Sequence, residues 1–431
     1  MKKENRYYDI SPRIVRAGQE AEIAIRPLFG HCSFTPESRY SLSLLPLESL
    51  AGQTGWQEPQ ALPFSLAEGV LRFRHHFDSE QEYAILLHRT NRGETRLEAE
   101  FRLYALAEDL YSRRPYKGDT HLHTYYSDGW EAPAYVAAAC RKIGMDFAAI
   151  TDHHQYAPSL EAIRTYETVP VDLRMYPGEE VHPPDNPVHI VNFGGSFSIN
   201  ELFKSDAYRN EVKAIEQRLT DLPAQVNRYA LASCIWCFEN IRVGNGLGIF
   251  CHPYWISNHR YDVPLYLTNL LFERQPFDAL ELIGGYFRPE IDSNTLQVAR
   301  YQEERALGRR IPIVGASDSH GCERGELFGW YYTVVFAPSA NLPDLIGSIK
   351  DLFSVAVEAL PGEVGRAYGP FRLVKYTLFL MAEVFPQHDE LCAEEGSWML
   401  AYAAGDPQAA ERLRLLQGQV RRFYDHLWGV A

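Results

Sequence analysis

Apolar and polar positions alternate along residues 1–113, in runs such as "AEIAIRP", "YSLSLLPL", "GVLRFRHHF", "EYAILLH" and "RLEAEFRLYAL", with Gly, Pro, Ser and Asn turns between them. A period of two predicts short half-buried strands, and the array predicts an antiparallel β-sandwich. From residue 114 to about 340, strands alternate with amphipathic helices. The strand candidates are "THLHT", "FAAIT", "RMYPGEE", "VHIVNF", "GIFCHP", "ALELIG" and "IPIVGAS"; the helices include "APAYVAAACRKIG", "NELFKSDAYRNEVKAIEQRL" and "SNTLQVARYQEERALG". That alternation predicts an α/β unit built on a parallel sheet or barrel. Residues 341–431 show helical periods, as in "QAAERLRLLQGQVRRFYDHLWG", and read as a C-terminal helical segment packed on the barrel.

Charge and composition narrow the partners. A net charge of −14 over 431 residues argues against a duplex nucleic-acid binder, which needs a basic surface. No apolar run approaches a membrane span, and the amino terminus lacks the apolar segment of a secretory signal. Seven cysteines without framework spacing predict reduced thiols in the cytoplasm. The Cys234-x-x-Cys237 pair lies in an apolar helical stretch and reads as buried packing rather than half a zinc site. The partner expected is a small molecule; the sequence sets no oligomeric state.

The chemistry sits at the strand ends. His121 and His123 flank Leu122, so in a strand both imidazoles project to one side. Other strand ends bring Asp152, His153 and His154; Glu179, Glu180 and His182; His189; His252; and Asp318 with His320. In parallel α/β folds the carboxyl ends of different strands converge on one mouth. Imidazoles with carboxylates suit Mn²⁺, Zn²⁺ or Fe²⁺ better than Mg²⁺ or Ca²⁺. The donors exceed what one ion can use, so clustered ions with a bridging carboxylate and a shared acidified water are expected.

Taken in order, "GDTHLHTYYSDG", "AITDHH", "PGEEV", "HIVNFG", "FCHP" and "GASDSHG" resemble the successive motifs of the PHP (polymerase and histidinol phosphatase) superfamily. With the amino-terminal β-domain, they look most like its carbaryl-hydrolase-like branch. The resemblance covers residues 115 to 335 and implies a distorted (β/α)₇ barrel with two to three divalent ions (Mn, Zn or Fe). Position by position, it implies that His121, His123, Asp318 and a bridging Glu180 hold one ion. His189 and His252, sharing Glu180, would hold a second, and Asp128, His153 and His320 a third. Asp152 would orient a ligand or cap its loop. Glu179 and His182 are alternatives to Glu180, and Glu281 is a support for a ligand or a solvated acid.

The expected activity is phosphoester hydrolysis by a metal-bridging hydroxide on a small phosphorylated molecule or nucleotide, with Glu180, Asp318, His320 and His154 in catalytic positions. Arg260, Arg288 and Arg324 follow strand ends and are candidates to clamp a phosphate, though each is also an ordinary loop arginine. Tyr125 and Tyr126, with Trp130, Tyr254 and Trp255, would suit an aromatic or base-like group. The alternatives are a carboxyl-ester, carbamate or amide hydrolase on the same centre, and a non-catalytic metal-binding module.

Overall fold

The computed structural model describes residues 1–48, 58–223, 226–257, 259–323 and 327–430. The chain divides into two compact units: Met1–Arg114 with Lys375–Leu391 and Gly418–Ala431, and Pro115–Val374 with Cys392–Gln417.

In the first unit, one sheet orders the strands Tyr8–Ser11, Gln19–Pro27, Val70–Phe77 and Phe64–Ala67. A second orders Ile14–Arg16, Glu94–Leu106, Gln81–Asn91, Arg39–Pro46 and Gln60–Leu62. Pairing is antiparallel except between Ile14–Arg16 and Glu94–Leu106. Alternation sends Ile23, Ile25, Leu71 and Phe73 of one sheet, and Leu42, Ile85, Leu87 and Phe101 of the other, into one core.

The carboxyl-terminal helices do not form the single segment the sequence suggests. Residues 375–391 and 418–431 belong to the first unit, where Tyr376 packs against Tyr104 at 4.9 Å between ring centroids. Buried Arg13 is satisfied there too, donating to the Glu383 carbonyl at 3.0 Å and to Asn5 Oδ1 at 2.9 Å. A buried guanidinium needs such partners, and helical periodicity alone does not reveal where they come from. The strands Ser354–Glu358 and Arg366–Tyr368 also interrupt the region expected to be helical.

In the second unit, one sheet has the order Arg174–Tyr176, Phe147–Ala149, Arg114–Asp119, Tyr331–Ala337, Ser354–Glu358 and Arg366–Tyr368. The other has Gly178–Val181, Ile190–Phe193, Leu247–Phe250, Ala279–Ile283 and Ile313–Gly315. Isolated parallel bridges join Leu122 to Ser319 and His153 to Glu180. Phe147, Val191, Phe193, Ile249, Ala279 and Val314, drawn from both sheets, share one core. Helices Pro133–Lys142 and Ile291–Ala306 follow the predicted pattern, the single helix expected over 200–219 is two, Ile199–Leu202 and Asp206–Arg218, and Cys234 and Cys237 are buried in helix Arg228–Val243. Among the described residues, no helix is long and apolar enough to cross a membrane.

Three local departures matter to the site. "THLHT" is not a strand: regular pairing ends at Asp119, and only Leu122 makes a bridge. "RMYPGEE" breaks at Pro177, which has no N–H to continue a ladder. The Ile190–Phe193 strand runs antiparallel to both its neighbours. Its first residues therefore lie at the end where the parallel strands finish, which places His189 with residues beyond the ends of other strands.

Gly118, just before the histidine pair, has no room for a side chain, since an added Cβ would lie 2.3 Å from the ring of Phe147. That ring is fully buried and cannot swing away. Gly118→Ala is expected to destabilise the protein by about 1–3 kcal/mol in urea unfolding, the usual cost of overpacking.

Candidate metal centre

Each strand end delivers its side chain by the local route that its sequence dictates. After Asp119 the chain leaves the ladder. The Asp119 carboxylate accepts from the backbone N–H of His121 at 3.2 Å and of Ser317 at 3.1 Å, tying the two histidine- and aspartate-bearing turns together. Asp152 organises the next loop, accepting from Thr124 N at 2.8 Å, Thr124 Oγ1 at 2.7 Å and Ser127 Oγ at 2.6 Å. That loop carries Asp128 back over the site, so Asp152 is a loop organiser. Asp318 at φ 50° and His252 at φ 24° both hold left-handed backbone. Such strain persists only where surrounding structure enforces it, and it concentrates at functional sites.

The nine residues converge. His123 Nε2 stands 2.7 Å and His121 Nε2 3.2 Å from Asp318 Oδ1. Both also face Glu180 Oε2, at 3.6 and 3.5 Å. The other Glu180 oxygen, Oε1, faces His189 Nδ1 at 2.8 Å and His252 Nε2 at 3.7 Å. Glu180 thus presents one oxygen to each of two histidine sets, as a bridging carboxylate must. His252 Nε2 is also 3.6 Å from Asp318 Oδ2. On the outer side, Asp128 meets His320 Nε2 at 3.1 Å and His153 Nε2 at 3.5 Å. The donor atoms of His123, Asp128, His153 and His320 all lie within 4.8 Å of one another, as do those of His121, His123 and Glu180 and those of His121, His252 and Asp318.

These atoms fit cations. His121 Nε2, His123 Nε2, His189 Nδ1, His252 Nε2, both Glu180 oxygens and Asp318 Oδ1 are buried and have no hydrogen-bond partner, although carboxylates and imidazoles stand within ion-pair distance. Close approach without donor-to-acceptor alignment is expected of groups that face a shared point. Burying so many unpaired polar atoms would be costly unless something charged lay among them. The donor set of nitrogen and carboxylate oxygen suits a divalent transition ion.

Electrostatics supports ionised carboxylates. Burial alone would raise the Glu180 and Asp318 carboxyls, but the surrounding imidazoles override it and hold both well below the ordinary range. Asp128 is likewise depressed, its burial outweighed by His153 and His320. His153 moves oppositely: despite burial, Asp128 and Glu180 push it up to about 10. Burial dominates at His182, which falls to about 4.

Other sequence candidates separate cleanly. Glu179 points away: its carboxylate accepts from Ser198 Oγ at 2.6 Å, Asn200 Nδ2 at 3.0 Å and Asn192 Nδ2 at 3.1 Å. Glu281, one side-chain period beyond Ala279, reaches His121 Nδ1 at 2.8 Å. It holds that ring with the other nitrogen turned to the cluster. Glu281→Ala is expected to weaken metal binding by about 10- to 100-fold in chelator competition, with Glu281→Gln milder because it keeps an acceptor.

His154 is exposed, in left-handed backbone at φ 60°, with its ring against His182 at 4.4 Å rather than against the carboxylates. Partial desolvation and the neighbouring His153 lower its pKa. Arg260 is exposed on the hairpin of Ile256–Ser257 and Arg260–Tyr261, and Arg288 is exposed and lies over Trp330 at 5.3 Å. Arg324 lies outside the described residues. Tyr125 and Tyr126 are exposed and stacked on each other at 4.7 Å, with Tyr126 Oη donating to Glu161 at 2.6 Å.

Sequence reasoning missed Tyr286 and Glu290; Trp255, named there only as a candidate for an aromatic substrate group, backs a ligand instead. Tyr286 packs on His320 at 4.1 Å, and Trp255 stacks on His252 at 4.1 Å, so aromatic rings back two of the imidazoles. Glu290 is raised to about 6 by burial, with Asp318 adding to the effect. Tyr286 and Glu290 fall in "GGYFRPE", just after the sixth strand candidate, where position past a strand end was the available signal.

No family model matches the chain, and neither does any curated sequence. Among solved structures it is similar to a Bacteroides vulgatus two-domain protein containing a predicted PHP-like metal-dependent phosphoesterase, at 16% identity and a TM-score of 0.39, over 57% of this chain and 65% of that one. A proposed metal-dependent phosphoesterase from Bifidobacterium adolescentis aligns at 19% identity and a TM-score of 0.32, over 48% of this chain and 89% of the other. A Chromobacterium violaceum amidohydrolase, solved with sulfate and no metal, aligns at 16% and 0.30, over 47% and 87%. At these scores the likenesses assign neither fold nor activity, and the cluster is read from its own atoms.

Proposed function

We propose that this chain is a metal-dependent hydrolase of the PHP kind, acting on a small phosphorylated molecule. The observation that carries the reading is the convergence of nine donor residues, many with buried and unpartnered ligand atoms, around one carboxylate that faces two ways. Within the two sheets of the second unit, seven strands, Arg114–Asp119, Phe147–Ala149, Gly178–Val181, Ile190–Phe193, Leu247–Phe250, Ala279–Ile283 and Ile313–Gly315, are read as one distorted barrel. Supporting this are the isolated bridges between them and the core they share. The first unit is read as a β-sandwich. A cytoplasmic setting suits seven cysteines without the spacing of a disulfide framework.

His121, His123, Glu180 and Asp318 would hold one divalent ion, His189, His252 and Glu180 a second, and Asp128, His153 and His320 a third. When bound, such ions supply Lewis acidity toward phosphoryl oxygens and make water a nucleophile at neutral pH. The chain's own contribution is to keep the carboxylates ionised, orient His121 through Glu281, and wall His252 and His320 with Trp255 and Tyr286.

Mn²⁺-loaded protein is expected to hydrolyse members of a panel of phosphomonoesters and dinucleotides, with His123→Ala inactive. Silence across the panel would overturn the phosphoesterase reading. The second reading is an ester, carbamate or amide hydrolase on the same centre, which needs no arginine clamp; Arg260 and Arg288 are both exposed. Aryl-ester or amide turnover without phosphatase activity would select it. A non-catalytic module would be expected to lack some ligands, and none of the nine is missing.

A further inference from the structure

His182 directly follows the Gly178–Val181 strand and lies two residues beyond Glu180, so strand alternation turns both to the same side. Its Nε2 is 3.0 Å from His153 Nδ1 and 3.5 Å from Glu180 Oε2. His153 Nδ1 also contacts that same Glu180 oxygen. The His182 ring lies face to face with His189, 3.9 Å between centroids at 25°, and its side chain is 20% exposed. With metal–nitrogen bonds of about 2.0–2.1 Å, neighbouring ligand atoms on one ion stand about 3.0–3.4 Å apart. The edge from His182 to His153 has that size, and the edge to Glu180 is slightly longer.

We propose that His182 is a further ligand of the metal centre, forming with His153 and Glu180 a two-nitrogen, one-oxygen triad on its outer side. The proposal rests on the metal-centre reading above. His153 would then lie between two ions as a bridging imidazolate, its last N–H proton released to solvent on metal binding, with Nδ1 beside His182 and Glu180 and Nε2 beside Asp128 and His320. An added imidazole shifts preference toward Zn²⁺ or Co²⁺ over Mn²⁺, since nitrogen donors favour the later ions. The competing role is a hydrogen bond that merely orients His153.

Full-length wild type, His182→Ala, His182→Gln and His123→Ala would each be loaded with Zn²⁺, Co²⁺ or Mn²⁺. Bound equivalents would be counted by plasma mass spectrometry, affinities measured by chelator competition, and the visible absorption of the Co²⁺ forms recorded. The expected result is that His182→Ala weakens one equivalent by about tenfold or more, with a larger loss for Zn²⁺ than for Mn²⁺ and an altered Co²⁺ spectrum, and that His182→Gln does not restore it. Unchanged titrations would overturn the proposal. So would full restoration by glutamine, which keeps an acceptor near the Nε2 position and would assign His182 to orienting His153. A folded wild type holding less than one equivalent would instead overturn the metal-centre reading itself.

Discussion

Glu180→Gln is expected to abolish hydrolysis, by about 10³-fold or more, and to lower the number of ions retained after dialysis. Glutamine matches the shape of glutamate but carries no charge, and its amide nitrogen turns two donors toward imidazoles that need an acceptor or a cation. Glu180 is fully buried and faces His121, His123 and His153 with one oxygen and His189 and His252 with the other. The substitution therefore weakens two ion sites together, whereas removal of a residue that only supports a ligand costs about 10- to 100-fold. Metal analysis of the purified variant beside its rate measurement checks this. Full metal content with wild-type rates would remove Glu180 from the centre. Glu179→Gln is the matched control: it should perturb the Asn192, Ser198 and Asn200 contacts and leave metal content intact.

Arg141→Met is expected to produce the largest loss of stability, about 3–5 kcal/mol in denaturant unfolding, the usual cost of stranding a buried charge. Arg141 lies in helix Pro133–Lys142 with no exposure. It donates to Glu395 Oε2 at 2.6 Å, Asp146 Oδ1 at 3.1 Å and the Met145 carbonyl at 2.9 Å. Removing the guanidinium leaves the buried Glu395 carboxylate without its cation. Pairing Arg141→Met with Glu395→Leu should recover much of the loss, since an apolar replacement of a buried ion pair is often neutral. If the single variant unfolds at wild-type denaturant concentrations, the pair contributes little.

The contrast between neighbouring positions shows how much could be read from the chain. "HLH", "EEVH" and "SDSH" are visible because chemistry-bearing residues recur where strand periodicity stops, and α/β folds gather such positions at one mouth. Choosing Glu180 over Glu179 is another matter. Alternation guarantees that only one of them faces the cluster. Which one follows from Asn192, Ser198 and Asn200, which come from elsewhere in the chain to receive Glu179. His182 carried a legible signal, since it shares the period of Glu180, but nothing local showed that His153 would stand 3.0 Å away. Asp128 is five residues past His123 in a loop, and its position depends on the grip of Asp152 on Thr124 and Ser127.

By itself the sequence determined the residue types available for chemistry, the change from two-residue to helical periodicity at residue 114, and the strand ends at which histidines and acids cluster. These are local properties, set by side-chain spacing and backbone preference. Only the tertiary structure decided that the Ile190–Phe193 strand is reversed, bringing His189 to the end where the others finish. It also decided that two carboxyl-terminal stretches belong with the first 114 residues. Each of those outcomes depends on which distant group pairs with a buried polar atom or covers an apolar face. Spacing along the chain does not encode that choice, because it is made by contacts between segments far apart in sequence.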